Sequence, residues 1–247
     1  MAGNSRQAGT SVTSRALAIL GAFDEQHRAM SLSDIAERSE IPLATTHRLL
    51  GELSRWGALD RLPTGEYVIG RKIWDIGHLA PAETGLRQVA EPFLHDLYGA
   101  TRATVHLAVR EGTEVVYLDR LRGNQSVPVV SKVGGRLPLH ATGVGKVLLA
   151  HAPGEVQDTV LAGLTRITSY TITQPGTLRR QLRQVLEKGY ATTREEMTLG
   201  ACSIAVPIYQ GDQVVASLGL VVASLKGSEQ RLYGALRVAA QSIGRRL

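Results

Sequence analysis

The densest run of chemically suggestive residues is "LPLHATGVGKVLLA", residues 137–150, where Gly143-Val144-Gly145-Lys146 leads into an apolar stretch. Gly-x-Gly-Lys ahead of a helix invites a nucleotide-phosphate loop. Such a loop needs Gly-x-x-x-x-Gly-Lys followed by a Ser or Thr whose hydroxyl holds magnesium. Here the first glycine position is His140 and the hydroxyl position is Val147, so the nucleotide reading fails at both. Two readings survive. A helix starting near Val144 would offer free backbone N–H groups and its dipole to one small anion, such as a carboxylate. Alternatively, the glycines only allow a tight strand-to-helix turn. Lys146, one turn in, is expected to be solvated, because lysine seldom buries.

Other reactive side chains are scattered. Cys202, Ser203, His106 and His140 supply nucleophile and base types, which defines an alternative function: a hydrolase or acyl-transfer enzyme on residues 85–247 with an accessory helix-turn-helix. Nothing in the spacing brings these residues together, and no nucleophile elbow is present. Glu195 and Glu196, beside Arg194, read as shaping a loop or accepting backbone N–H groups rather than as an acid–base pair. One cysteine rules out an internal disulfide or thiolate metal cluster and fits a reducing cytoplasm. The expectation is no enzyme, no catalytic residues, no metal site and no cofactor.

A second constellation lies nearer the N-terminus. "SLSDIAERS" carries a capping-box signal, Ser31 with Asp34. "EIP" then breaks the chain, and "LATTHRLLGELSRWGAL" forms a helix with Leu43, Leu49, Leu50 and Leu53 inward and Gly57 as its stop. "DRLPTGEYVIG" reads as strand, turn, strand. With a preceding helix over Val12–Phe23, the order is that of a winged helix-turn-helix. In that motif the second helix enters the major groove and its first turns face the bases. Thr45, Thr46, His47 and Arg48 occupy those turns; Arg55 and Arg61 could reach phosphates from the helix end and the wing. Global charge does not locate this function. The net charge is +6 and the pI near 9.7, yet residues 1–80 balance acid against base, and the excess lies beyond them.

These residues need a scaffold, and 247 residues with 43% hydrophobic content suffice for two domains. Residues 1–10 are polar, lack an apolar leader core, and read as a flexible tail. Residues 11–70 form the winged helix-turn-helix. Residues 71–84, "RKIWDIGHLA" ended by Pro81, read as a linker helix. The remainder, 85–247, is mixed: a helix containing Pro92, which should kink it or shift its start, and a hairpin with Val105, Leu107 and Val109 alternating. "SVPVVSKV" reads as a further strand, followed by a helix with Leu178, Leu182, Val185 and Leu186 inward. A second hairpin turns at Gly211-Asp212, and a terminal helix closes the chain. The fold class is therefore α+β, with a central antiparallel sheet flanked by helices. No apolar run approaches the roughly 18 residues of a membrane span, so no membrane partner is expected.

Three segments carry a family resemblance: "SRALAILGAFDEQHRAMSLSDIAERSEIPLATTHRLLGELSRWGALDR", "VGGRLPLHATGVGKVLLA" and "KGYATTREEMTLGACSIAVPIYQGDQVVASLGL". In order and spacing over residues 11–247 the chain resembles the isocitrate lyase regulator (IclR) family. The resemblance implies a cytoplasmic transcription regulator, repressor or activator, that binds double-stranded operator DNA. It also implies a GAF-like effector-binding and oligomerisation domain and homodimers that pair into tetramers. Similar proteins hold an effector carboxylate on backbone N–H groups matching Gly143 and Val144. In relatives that take glyoxylate- or pyruvate-type acids, four polar pocket residues match Thr193, Ser203, Gly219 and Val221. All four are changed here, which disfavours a small 2-oxo acid and suits a larger, partly apolar carboxylate, aromatic acids included. Cys202, one residue before Ser203, is expected to point away from that pocket by strand alternation.

Overall fold

The computed structural model describes residues 11–24, 26–77, 81–123 and 126–247. The expected tail, residues 1–10, and part of the expected linker helix lie outside them. The chain divides into two compact units, Met1–Ala80 and Pro81–Leu247.

In the first unit, α1 (Val12–Gly21) is capped by the Ser11 hydroxyl, which accepts from the Ser14 N–H. The short α2 (Leu32–Arg38) carries the full Ser31–Asp34 capping box. Helix α3 (Leu43–Trp56) stops where Gly57 takes the left-handed conformation at φ +87°. The wing is β2 (Leu59–Arg61) and β3 (Tyr67–Ile69), and a two-residue strand, β1 (Ala29–Met30), adds to the outer side of β3. That third strand is too short to show a period in the sequence. Ile19, Ile35, Leu49, Leu50, Leu59 and Tyr67 form the core. Leu43, expected inward, is exposed at the first position of α3. Asp24 organises the α1–α2 connection: it accepts from the backbone N–H groups of Gln26 and His27 and from the Arg38 guanidinium. Helix α4 (Arg71–Gly77) follows the wing.

The second unit starts with α5 (Pro81–Thr101), which runs through Pro92. Pro81 therefore opens a helix instead of ending one, consistent with its fixed φ and missing N–H at a first helical turn. The described residues form a six-stranded antiparallel sheet in the order β6-β5-β4-β9-β8-β7. Its strands are β4 (Thr104–Glu111), β5 (Glu114–Leu121), β6 (Arg136–Pro138), β7 (Ala191–Arg194), β8 (Cys202–Gln210) and β9 (Gln213–Val222). One face, with Val105, Leu107, Ile204, Val206, Leu218 and Leu220, packs on α5 and α9 (Glu229–Gly244). The other packs on α6 (Gly143–Ala150) and is closed by α7 (Gly154–Ala162) and α8 (Pro175–Lys188). Leu186 of α8, expected inward, is exposed near its helix end, while Leu178, Leu182 and Val185 are buried.

The expected strand "SVPVVSKV" is absent. Pro128 has no N–H to give a ladder, and the free edge of β5 is taken by residues 134–138: the Gly134 N–H donates to the Tyr117 carbonyl, and Leu137 pairs with Val115. Among the described residues no helix is long and apolar enough to cross a membrane.

Candidate functional site

Three cross-strand rows on the α6 face of the sheet build the floor of one cavity. Register places Thr193, Ser203, Val221 and Thr104 side by side in the first row. Ala191, Ala205, Gly219 and His106 form the second. Ser217, Ala108 and Tyr117 belong to the third, where a bulge at Leu107/Ala108 brings Tyr117 onto this face. The small second row lets α6 sit close. A Cβ at Gly143 would overlap the Ser203 hydroxyl, and one at Gly219 would come within 2.8 Å of the Val144 Cγ1. A Cβ at Gly145 would overlap the Leu139 carbonyl, in the 3-10 turn Leu139–Ala141 that leads into α6.

The N-terminus of α6 opens into this cavity. Thr142 caps the helix: its hydroxyl accepts from the Gly145 N–H at 3.1 Å, and its carbonyl takes the Lys146 N–H. That leaves the first two helical N–H groups, of Gly143 and Val144, with no acceptor among the described residues, although both residues are buried. Buried backbone donors without a partner are rare, and two adjacent ones at the positive end of a helix form a receptor for one anionic group.

The cavity encloses about 460 Å³ of unfilled space, its mouth included. Gly143, Val144, Thr193, Ser203, Gly219 and Val221 all line it, so the structure brings the six sequence-selected positions together. The Thr193 and Ser203 hydroxyls bond each other at 2.5 Å beneath Gly143. Sequence reasoning missed His106, Tyr117 and Ser131, which line the β4–β5 side. The His106 Nε2 lies 2.7 Å from the Ser131 Oγ, and its ring meets Tyr117 edge-on at 4.8 Å. Ser131 belongs to a strap, residues 126–133, that covers the cavity where the extra strand was expected. The Arg120 guanidinium donates to its carbonyl and holds the strap down. Burial, with the Arg120 charge adding, pulls the His106 imidazole down to about 3, so it is neutral at ordinary pH. Burial also raises the Tyr117 phenol above its usual value. Among the described residues lining the cavity, none carries a formal charge at neutral pH.

Lys146 corrects the expectation of a solvated lysine. It is 1% exposed, and its ammonium meets both Glu196 carboxylate oxygens at 2.7 Å and the Gln181 Oε1 at 2.7 Å. Burial pushes the Lys146 ammonium down and the Glu196 carboxyl up, and each opposes the other's shift by its charge. The pair joins α6 to the loop 195–201, whose Met197, Thr198 and Ala201 roof the cavity. That loop is further fixed by the Thr168 and Thr171 hydroxyls, which donate to the Glu195 and Glu196 carbonyls at 2.7 Å. Glu195 accepts the Gly200 N–H at 2.7 Å, the loop-shaping role read from the sequence.

The candidate nucleophiles Cys202 and Ser203 are paired with neither His106 nor His140 among the described residues: Ser203 bonds Thr193, and His106 bonds Ser131. Cys202 packs on the α5–α9 side of the sheet, opposite Ser203. The His140 Nε2 donates to the Thr165 carbonyl. Among the described residues no cluster of three or more metal-ligating side chains occurs.

On the first unit, His47, Arg48, Arg55 and Arg61 are exposed and Thr45 is half-buried. Arg48 pairs along the helix with Glu52 at 2.6 Å, and Arg61 reaches the Gly65 carbonyl at the wing tip. Thr46 is different: it is fully buried and its hydroxyl donates to the Ile41 and Pro42 carbonyls. It shares the inward stripe with Leu49, Leu50 and Leu53, three, four and seven residues on, and so cannot touch a base or a phosphate.

Comparison with known proteins agrees with both units. Residues 12–63 match the model of the IclR helix-turn-helix domain, and residues 78–245 match that of the bacterial transcriptional regulator IclR C-terminal domain. The chain is 35% identical over 210 residues to the HTH-type transcriptional regulator XynR of Escherichia coli, 83% of each being covered. It is 33% identical to the HTH-type transcriptional repressor AllR of the same organism, covering 91% of this chain and 84% of that one. An IclR homolog from Microbacterium hydrocarbonoxydans, solved in complex with 4-hydroxybenzoate, superposes with a TM-score of 0.92 at 34% identity, over 96% of this chain and 99% of the other.

Two outcomes test the buried groups. Removing one partner of a buried pair leaves an uncompensated charge, whereas replacing both with apolar groups is often neutral. Lys146→Met or Glu196→Gln alone should therefore lower the unfolding free energy by about 3–5 kcal/mol, and Lys146→Met with Glu196→Leu should recover most of it. Urea unfolding checks this; a double variant no better than the weaker single one would refute it. For His106 the sign follows from its depressed value. The unfolded imidazole, near 6.5, binds a proton that the folded one, near 3, refuses, so stability falls as the pH drops below about 6.5. The urea midpoint of His106→Phe should fall less between pH 6.5 and 5 than that of the wild type.

Proposed function

The chain belongs to the IclR family of DNA-binding transcriptional regulators, not of enzymes, and on that premise we propose that it answers to a small aromatic monocarboxylic acid bound at the N-terminus of α6. The observation that carries this reading is the pair of buried, unpartnered N–H groups of Gly143 and Val144, facing a cavity without a formal charge. One carboxylate satisfies both donors. A second carboxylate would be buried with no counter-charge, at a cost of several kcal/mol. The apolar walls, Leu137, Val129, Val130 and Val221 among them, suit a ring. The complex of the Microbacterium protein with 4-hydroxybenzoate supports the class.

On the DNA side, Thr45, His47 and Arg48 read base edges from the start of α3, and Arg55 and Arg61 contact phosphates. Thr46 acts only through the core. Effector binding shifts the population of DNA-competent arrangements. Arg87 of α5 donates to Asp119 of β5 at 3.0 Å, linking the strand that carries Tyr117 to the helix that follows the DNA-binding unit in the chain. The working form, on the family resemblance, is a homodimer or a dimer of dimers.

Arg48→Ala should weaken operator binding by about 5- to 150-fold, the value of one good base contact, and alter base preference in a gel shift. Unchanged affinity would remove α3 as the reading helix. Gly143→Asp places a carboxylate on the anion site and a Cβ against the Ser203 hydroxyl, so calorimetry should show no acid binding, while operator affinity, which rests on the other unit, should hold. Tight binding of glyoxylate, with none of benzoates, would overturn the aromatic reading.

A further inference from the structure

We propose that His106 and Ser131 form a second recognition point in the cavity, which selects effectors carrying an uncharged hydroxyl on the far side of the ring from the carboxylate. This rests on the reading of Gly143 and Val144 as the carboxylate anchor.

Placement comes from the sheet. Gly143 sits over Ser203 and Ala205 of β8, and Val144 over Gly219 of β9. His106 is the cross-strand partner of Gly219 on β4. The Val144 end of the anchor is therefore one strand spacing from His106, about 5 Å, and the Gly143 end two spacings, about 10 Å. One aromatic ring with substituents at opposite ends spans that, given a hydrogen bond of about 2.8 Å at each end. Gly143, Val144, His106 and Ser131 line one cavity, and the ring passes beside the Val144 Cγ1 that packs over Gly219.

Chemistry comes from the pair itself. The Ser131 hydroxyl has one hydrogen and two lone pairs, and one of these capacities is spent on the His106 Nε2 at 2.7 Å. If Ser131 donates to the imidazole, its lone pairs accept from a ligand. If the imidazole donates to Ser131, the serine hydrogen is free to donate. In either tautomer a hydroxyl on the ligand finds a partner, since it can both give and take. The Thr193 and Ser203 hydroxyls do not supply this, because they lie at the anchor end, beneath Gly143. Arg120 grips the Ser131 carbonyl, so the serine is held in place before any ligand arrives. A ligand carboxylate at this point would touch no cation, because the Arg120 guanidinium bonds the far side of Ser131 at its carbonyl and lines no part of the cavity, so that its charge acts only at a distance.

Calorimetry on the full-length protein with benzoate, 4-hydroxybenzoate and terephthalate tests the proposal. The wild type should bind 4-hydroxybenzoate at least about 5-fold more tightly than benzoate, the worth of one hydrogen bond of about 1 kcal/mol, and terephthalate least. Ser131→Ala, a small change that spares the ring packing, should bring the two monoacids to within about 2-fold of each other, a difference of about 0.4 kcal/mol, by weakening 4-hydroxybenzoate while benzoate, which has no hydroxyl to lose, changes little. His106→Phe should do the same. Equal loss of both acids in the Ser131→Ala variant, or a preference that survives it, would overturn the recognition point and leave the anchor intact. Wild-type protein that binds none of the three acids would overturn the anchor and this proposal together.

Discussion

Helix α6 lies closer to the sheet than any ordinary side chain permits, and the site depends on that approach. Gly143 on the helix and Ala205 and Gly219 on the strands remove the atoms that would hold the layers apart, and Gly145 lets the turn at Leu139 fold against the helix start. The helix start is thereby sunk into the interior, where its first N–H groups lose water without gaining an acceptor. In solvent those groups would be unremarked members of a helix end. Buried, they become the strongest anion-attracting feature of the cavity, since the low local dielectric that penalises an unpaired donor also magnifies its pull on a ligand. The glycine run is a packing device first, and the proposed anion site follows from it.

The same economy governs charge. The formal charges near α6 face away from the cavity: Lys146 turns to Glu196 and Gln181. A lysine facing the cavity would attract anions indiscriminately and would have to be desolvated with them. Tying it to the loop 195–201 instead fixes the roof that carries Met197 and Thr198. Among the groups lining the cavity, the backbone dipoles at the start of α6 then supply the positive potential, which matches the single carboxylate proposed for it.

Much of this was legible in the sequence. The capping box at Ser31, the Gly57 stop and both long hairpins have local signals and appear as read. The six pocket positions on α6, β7, β8 and β9 came from the family likeness and converge on one cavity. The residues that escaped share a cause. His106 alternates against Val105 and Leu107, which pointed it away from one core, but the sequence could not say that the other face was also covered and held a cavity. Ser131 was assigned to a strand because hydrophobic alternation cannot report that residues 134–138 already occupy the edge it would need. Lys146 defied a sound prior because its partner lies 50 residues on, and no local pattern announces such a pair. Thr46 was misassigned because threonine hydroxyls serve a helix's own carbonyls as readily as a base.

The first unit poses the reverse problem, that of binding a polyanion with no net charge. Several of its acids are committed to the unit itself: Asp24 to the turn after α1, Asp34 to the cap of α2, Glu52 to Arg48. Arg55 and Arg61 remain exposed on α3 and the wing. The Arg48–Glu52 pair is exposed on both sides, and such pairs are worth about 0–1 kcal/mol. A bidentate contact to guanine contributes about 1–3 kcal/mol of discrimination, so DNA can take Arg48 from Glu52 at small cost. Off DNA, the carboxylate holds the guanidinium along the face of α3 and limits the rotamer entropy lost on binding. A neutral unit can thus read a polyanion, provided its positive charges are lightly held and its negative ones are engaged elsewhere.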